Sequence, residues 1–301
     1  MIRVIAGRHN HSLKLARKLQ KKKYRRERGL LVAEGMDLLQ AALEAEAHIV
    51  EVLVREDLVG LLPSSLRQAA ENAGVDETAR RVDVGICTRE LLEEASSLGG
   101  GADVVFICAQ PQWSLSQIPL GRGVTFFLDG VGDPGNVGTV IRSAVAFGID
   151  AVCCSPGTAD PYGPKALRAG MGAQFCLPVV TEVSPADLQA KLGGLAEKGL
   201  PVPRVLVADP RGNKDPRTLE PAGGVVVVLG DERTGPGSEW VGAERVIIPQ
   251  RRFDSLNVAM AGTVLAYELF RQGFTGASES DISGGKTVDS SLGWRSWREE
   301  A

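Results

Sequence analysis

Three clusters in the second half of this 301-residue chain hold residue types able to do chemistry. Asn136 and Arg142 lie six residues apart at the start of an Ala/Val-rich helical run. Gly230-Asp231-Glu232-Arg233-Thr234-Gly235 follows Val225–Leu229, the most apolar strand-like stretch. Ile248-Pro249 precedes Ser255-Leu256-Asn257, which opens the last helical run. Singly, each has an ordinary structural reading: Asn136 and Ser255 as helix caps, the glycines as a turn. Together they sit beyond strand ends in one domain, where open α/β sheets bind their ligands. Their amides, guanidinium and carboxylate can orient a polar substrate and manage a proton.

Other chemistries are excluded by what is absent. His9, His11 and His48 all fall in the first half, so the second half has neither a local Ser–His–Asp triad nor a histidine metal site. The five cysteines, Cys87, Cys108, Cys153, Cys154 and Cys176, form no C-x-x-C pair and read as reduced thiols. No metal is expected. Gly130-Val131-Gly132-Asp133-Pro134-Gly135 does fit the dinucleotide fingerprint G-x-G-x-x-G. However, the strand Ala151–Cys154 ends without a carboxylate for a ribose, and Pro134 lacks an N–H that a pyrophosphate turn would use. A nicotinamide-dependent enzyme is therefore kept only as an alternative.

The elements that must position these clusters follow from periodicity. Strands are predicted at Val124–Leu128, Ala151–Cys154, Arg204–Ala208, Val225–Leu229 and Arg245–Ile248, alternating with helical runs. Such apolar strands imply a parallel sheet with helices on both faces. The last helix, about 255–272, is apolar nearly all round, which points to a subunit interface. The first half reads as a smaller α/β layer. The predicted domains are 1–110, a linker at 111–123, a second domain at 124–273, and a polar, disordered tail at 274–301. Trp294 and Trp297 in that tail have no explanation from the sequence.

Charge separates the two halves. Between Arg3 and Arg28 lie eleven basic residues and one acid, a net +10. The whole chain carries −3, so the remainder carries −13. A basic block on an acidic protein suits a polyanion, and Lys22, Lys23, Arg25, Arg26 and Arg28 are the expected RNA contacts. No apolar run reaches the roughly 18 residues a membrane span needs, and no signal-peptide core is evident, so the expected location is the cytoplasm.

The three clusters, in this order and spacing, resemble the motifs of the SpoU (TrmH-type) RNA ribose methyltransferases of the SPOUT superfamily. The first runs from Leu128-Asp129-Gly130 through Asn136 to Ile141-Arg142, the second is Leu229–Gly235, and the third is Ile248-Pro249 with Ser255–Ala259. Lys23–Gly29 and Val32–Gly35 are similar to that family's small substrate-binding domain. The resemblance implies an α/β fold: a SPOUT-type parallel sheet with a trefoil knot, plus an N-terminal α/β RNA-binding domain. It implies S-adenosylmethionine held by Ala208, Leu229, Gly230, Gly235, Ile248, Pro249, Ser255 and Leu256. It implies methylation of a ribose 2′-hydroxyl of RNA, most often ribosomal RNA, by Arg142, Asn136, Glu232 and Asn257, in a homodimer formed through the C-terminal domain. The alternatives are a catalytically dead RNA-binding assembly factor, and tRNA as the substrate. Two departures stand out: Gln250-Arg251-Arg252 after Ile-Pro is bulkier and more basic than usual, and Gly170 replaces a serine in Arg168–Gly172.

Overall fold

A computed structural model describes residues 2–71, 82–97, 101–220, 223–232, 234–252 and 255–275. Two units emerge from its contacts: the residues up to Pro111 together with Tyr162–Phe175, and Gln112–Pro161 together with the chain from Cys176 onward. The predicted tail at 274–301 lies outside the described residues beyond Thr275.

The first unit contains β1 (Ile2–Val4), α1 (His11–Leu19), α2 (Lys22–Arg28), β2 (Leu30–Glu34), α3 (Met36–Glu44), β3 (Ile49–Arg55), α4 (Ser64–Glu71), β4 (Asp83–Cys87), α5 (Arg89–Ala95) and β5 (Val104–Ala109). Its sheet has the order β1-β4-β3-β5-β2, with β5 antiparallel to both neighbours and the other pairs parallel. Asn10 starts α1 by accepting the Ser12 amide at 2.8 Å. Leu13, Ala16 and Leu19 then bury one helix face against Val32, Leu53, Val105 and Ile107. The helix α2 stops at Gly29, whose φ of 62° is a left-handed cap.

In the second unit, β6 (Val124–Asp129), α6 (Pro134–Ala146) and β7 (Ala151–Cys154) lead into α7 (Pro164–Gly170). The sequence places α7 in the domain at 124–273, whereas the structure groups its contacts with the first unit. The chain continues through β8 (Val179–Val180), α8 (Pro185–Glu197), β9 (Arg204–Ala208), β10 (Val225–Gly230), β11 (Glu244–Val246) and α9 (Val258–Arg271). All six strands are parallel, in the order β11-β9-β10-β6-β7-β8. On one face α8 sets Leu188 and Leu192 among Phe127, Val226 and Val228, with Trp240 edge-on to Phe127 at 5.1 Å. On the other, α9 packs on α6 through a Ser143–Thr263 hydroxyl pair at 2.6 Å and on β10 through Gly262. Val225–Leu229 are buried throughout, as a strand covered on both faces must be.

Among the described residues all five cysteines are free thiols. Burial pushes the Cys87 thiol up to about 11 and the Cys153 thiol up to about 12, so neither is a nucleophile at neutral pH.

Candidate active site

The carboxyl ends of β6, β10 and β11 carry the three clusters. At the end of β6, Gly130 adopts φ 74° and donates its amide to Ser155 Oγ at 2.9 Å, turning the chain toward α6. Asp133 caps α6 by accepting the Gly135 amide at 2.7 Å and the Asn136 amide at 3.0 Å. With Pro134 also at the first turn, the helix needs no cap from Asn136, whose side chain is left for other work. The same geometry disposes of the dinucleotide reading. The N-terminal amides that would cradle a pyrophosphate are already held by Asp133, a carboxylate of the same charge.

Asn136 Nδ2 donates to Glu232 Oε1. Asn257 Nδ2 donates to Asn136 Oδ1 at 3.1 Å and to Glu232 Oε1 at 3.4 Å. Three side chains, from the first turn of α6, the loop after β10 and the cap of α9, up to 121 residues apart, thus meet in one solvent-facing triangle. Asn257 is also the cap of α9, accepting the Ala259 and Met260 amides at 3.0 and 3.3 Å. The sequence offers that role to Ser255, which the structure leaves exposed and outside the helix. The Asn257 side chain is therefore used twice: its oxygen fixes the helix and its nitrogen fixes the triangle.

Arg142 is not part of this network. It is exposed on α6 and makes no hydrogen bond or ion pair with another described residue. Six residues of helix turn it about 240° from Asn136, so the two point from different faces. Neither Asn136 nor Glu232 bonds to its guanidinium. Its guanidinium is open to an incoming group.

Around the triangle the chain folds tightly. Asp231 donates its amide to the Asp129 carbonyl at 3.1 Å and accepts the Gly235 amide at 2.8 Å, closing a five-residue loop. A Cβ on Gly230 would stand 2.3 Å from Pro236 N, so only glycine lets the loop return over the strand end. Asp129 Oδ2 secures that return, accepting the Gly237 amide at 2.9 Å and Trp240 Nε1 at 2.8 Å. Sequence reasoning assigns Asp129 no role. A carboxylate ending a core strand is the signal that could have found it.

The expected cofactor residues divide in two. Ala208, Leu229 and Gly230 end neighbouring parallel strands, and Ile248 lies two residues past β11. Gly235 closes the loop above them, while Pro249, Ser255 and Leu256 are exposed; Phe253 and Asp254 lie outside the described residues. Neither Ile248 nor Leu256 makes a main-chain hydrogen bond to another described residue. Their unspent donors and acceptors, beside apolar strand ends, fit a nucleoside-bearing cofactor recognised through backbone groups. Asp209, one residue past Ala208, also escapes sequence reasoning. Burial pushes its carboxyl up, but the Arg211 amide at 2.8 Å and the Arg245 guanidinium outweigh this and hold it below the usual range.

The basic segment of the first unit splits as well. Lys22, Lys23, Arg26 and Arg28 are exposed on α2. Arg25 is not: it is 3% exposed and its Nη1 donates to the Leu19 and Gln20 carbonyls at 2.7 and 2.9 Å. It satisfies the end of α1 and is turned away from any RNA, because a helix this short must send one face inward. Among the described residues no group of three or more His, Cys, Asp or Glu is placed to hold a metal, and no helix is long and apolar enough to cross a membrane.

Comparison with known proteins places this architecture. The SpoU rRNA Methylase family matches residues 123–267, and the MRM3-like substrate binding domain matches residues 10–104. The chain is 31% identical over 206 residues to the 23S rRNA (uridine(2479)-2′-O)-methyltransferase of Streptomyces viridochromogenes, covering 66% of this chain and 70% of that one. It is 28% identical over 274 residues to the 23S rRNA (guanosine(2553)-2′-O)-methyltransferase RlmP of Bacillus subtilis, covering 86% and 96%. Among solved structures, the AdoMet complex of the SpoU methyltransferase AviRb from Streptomyces viridochromogenes superposes with a TM-score of 0.75 at 25% identity, over 88% of this chain and 98% of that one. The AdoMet-bound rRNA methyltransferase of Sinorhizobium meliloti gives 0.74 at 27% identity, over 90% and 98%. The chain belongs to the SpoU rRNA methylase family.

Proposed function

We propose that this protein transfers a methyl group from S-adenosylmethionine to a ribose 2′-hydroxyl of large-subunit ribosomal RNA. The observation that carries the reading is the Asn136–Glu232–Asn257 triangle, assembled beside backbone groups suited to a nucleoside cofactor. The cofactor supplies an electrophilic methyl group, and the protein's task is to align the hydroxyl and accommodate its proton. Glu232 engages the two amides through Oε1, and Oε2 makes no hydrogen bond to another described residue. That oxygen is the acceptor open to a ribose hydroxyl. Arg142 presents an exposed guanidinium, which holds the RNA phosphate or the developing oxyanion. An intact triangle argues against a dead assembly factor.

The substrate reading rests on the 23S rRNA targets of the two relatives and on the exposed cations of α2. We infer a homodimer through α9, whose outer face leaves Met260, Val264 and Tyr267 between 42% and 59% exposed. A trefoil knot with loops around Ala208, Leu229–Gly235 and Ile248–Leu256 belongs to the same reading. It is supported by the close packing of the loop after β9, where a Cβ on Gly212 would stand 2.8 Å from the Arg245 carbonyl.

Incubating the protein with unmodified ribosomal RNA and labelled S-adenosylmethionine, then mapping 2′-O-methyl positions, tests the function. A single labelled ribose in large-subunit RNA is the expected result. Label on a base, or only in tRNA, would refute it.

A further inference from the structure

Away from the active site, the second unit has a cleft of 810 Å³ at the end of the sheet where β6 and β9 begin. Leu115, Ile118, Leu195 and Leu200 form its apolar walls, and no acidic residue lines it. Lys191 closes one side by donating to the carbonyls of Leu115 and Ile118, while Arg122 and Lys198 supply further positive charge. Leu200 and nearby Val202 stay 50% and 46% exposed. An apolar cleft with a cationic rim is a surface that something covers.

The described chain stops at this end of the sheet. Thr275 lies 3.4 Å from where a Cβ on Gly148 would stand. Two residues later, Asp150 accepts the Val124 amide at 2.6 Å and faces the charge of Arg122, which lines the cleft. Residues 276–301 follow, and they hold Trp294 and Trp297, with Arg295 and Arg298 next to them and Glu299 and Glu300 after. Nothing in methyl transfer uses those indoles.

We propose that the segment around Trp294 and Trp297 docks in this cleft of its own chain, with the indoles on the Leu/Ile walls. The reach suffices. Eighteen residues separate Thr275 from Trp294. Fully stretched, a chain of that length covers about 60 Å. Two indoles would each bury about 150–250 Å². Tethering holds the segment at an effective concentration near millimolar, so weak contacts are enough.

Hydrogen–deuterium exchange on the full-length chain tests this with two variants. In Trp294→Ala/Trp297→Ala, the amides of residues 115–122 and 191–201 should exchange about tenfold faster. Gly194 lines the cleft, and a Cβ there meets nothing within 4 Å, so Gly194→Arg fills the cleft without disturbing α8. It should free residues 292–299 to a similar degree. Neither variant touches the methyl-transfer residues, so turnover should stay at wild-type level. Unchanged exchange in either variant would overturn the proposal. So would protection that rises with protein concentration, since that places the tail on a second copy.

Discussion

Asn257 carries two duties on one side chain, and substitutions can separate them. Asn257→Asp keeps an oxygen for the α9 amides but loses the Nδ2 donor and sets a second carboxylate beside Glu232. Its stability should stay within about 1 kcal/mol of wild type. Its kcat/KM should fall at least tenfold, an order-of-magnitude expectation for removing a positioning hydrogen bond. Asn257→Ala should lose both, with about 1 kcal/mol from the cap appearing as a lower Tm. Equal activity of Asn257→Asp and wild type would remove the triangle from the mechanism. Arg142 bonds to no other described residue, so Arg142→Ala should leave stability and S-adenosylhomocysteine affinity within about twofold while kcat drops about 100-fold or more. Single-turnover assays beside a cofactor titration check both halves. The membership of the triangle was legible through the family resemblance of the three clusters, since each residue taken alone reads equally well as a cap or a turn. The separation of Arg142 from it was not, since it depends on a helical rotation and on which side chains find partners.

At the scale of elements, the strands that position the site were readable because they are buried on both faces and nearly continuous in Val and Leu. Ala151–Cys154 and Arg204–Ala208 have the bounds that periodicity predicts, and β10 runs one residue further than expected, into Gly230. Three strands leave little mark on the sequence. The first, β1, is three residues long with largely exposed ends, and β8 has two residues. In β4, Gly85 interrupts the pattern because a Cβ there would stand 2.6 Å from Ile5 Cδ1. Close approaches of this kind are tertiary and have no local signature. A similar one sets the α9–β10 distance: a Cβ on Gly262 would meet Leu229 Cδ1 at 3.0 Å and Val140 at 3.3 Å. Gly262→Leu should therefore overpack this interface and cost about 1–3 kcal/mol in chemical denaturation. Undiminished stability would mean that α9 can shift away from the sheet freely. The edge of the sheet carries a pH signature. The Arg204 guanidinium, bonded to both Glu244 oxygens at 3.0 Å, and the Lys214 ammonium lower the Glu244 carboxyl from 4.5 to about 2. A depressed carboxylate stabilises the fold above its unfolded value and loses that contribution as pH falls toward its folded value. The Tm advantage of wild type over Glu244→Gln should thus be full above about pH 5 and vanish near pH 2.

For the whole molecule, charge asymmetry divides the labour that the sequence suggested, with one exchange of membership. The segment Tyr162–Phe175 belongs by its contacts to the first unit, so deleting residues 1–110 would strip α7 of its packing partners. Removing charge is the cleaner experiment. Substituting alanine for Lys22, Lys23, Arg26 and Arg28 should weaken RNA binding and flatten its salt dependence, by about 0.7–0.9 in log–log slope for each phosphate no longer neutralised. Cofactor affinity should be unchanged. Arg25→Ala should behave differently, lowering Tm through the unsatisfied end of α1, and any RNA defect should follow that destabilisation. The central claim, that strand ends and crossing loops of the second unit hold S-adenosylmethionine for methyl transfer, is tested most directly by calorimetry. Titration of the purified protein with S-adenosylhomocysteine, with NADH run in parallel, does not depend on finding the right RNA. One site per chain with micromolar affinity for S-adenosylhomocysteine and none for NADH is the predicted result. A folded protein that binds NADH, or that binds neither, would contradict the account.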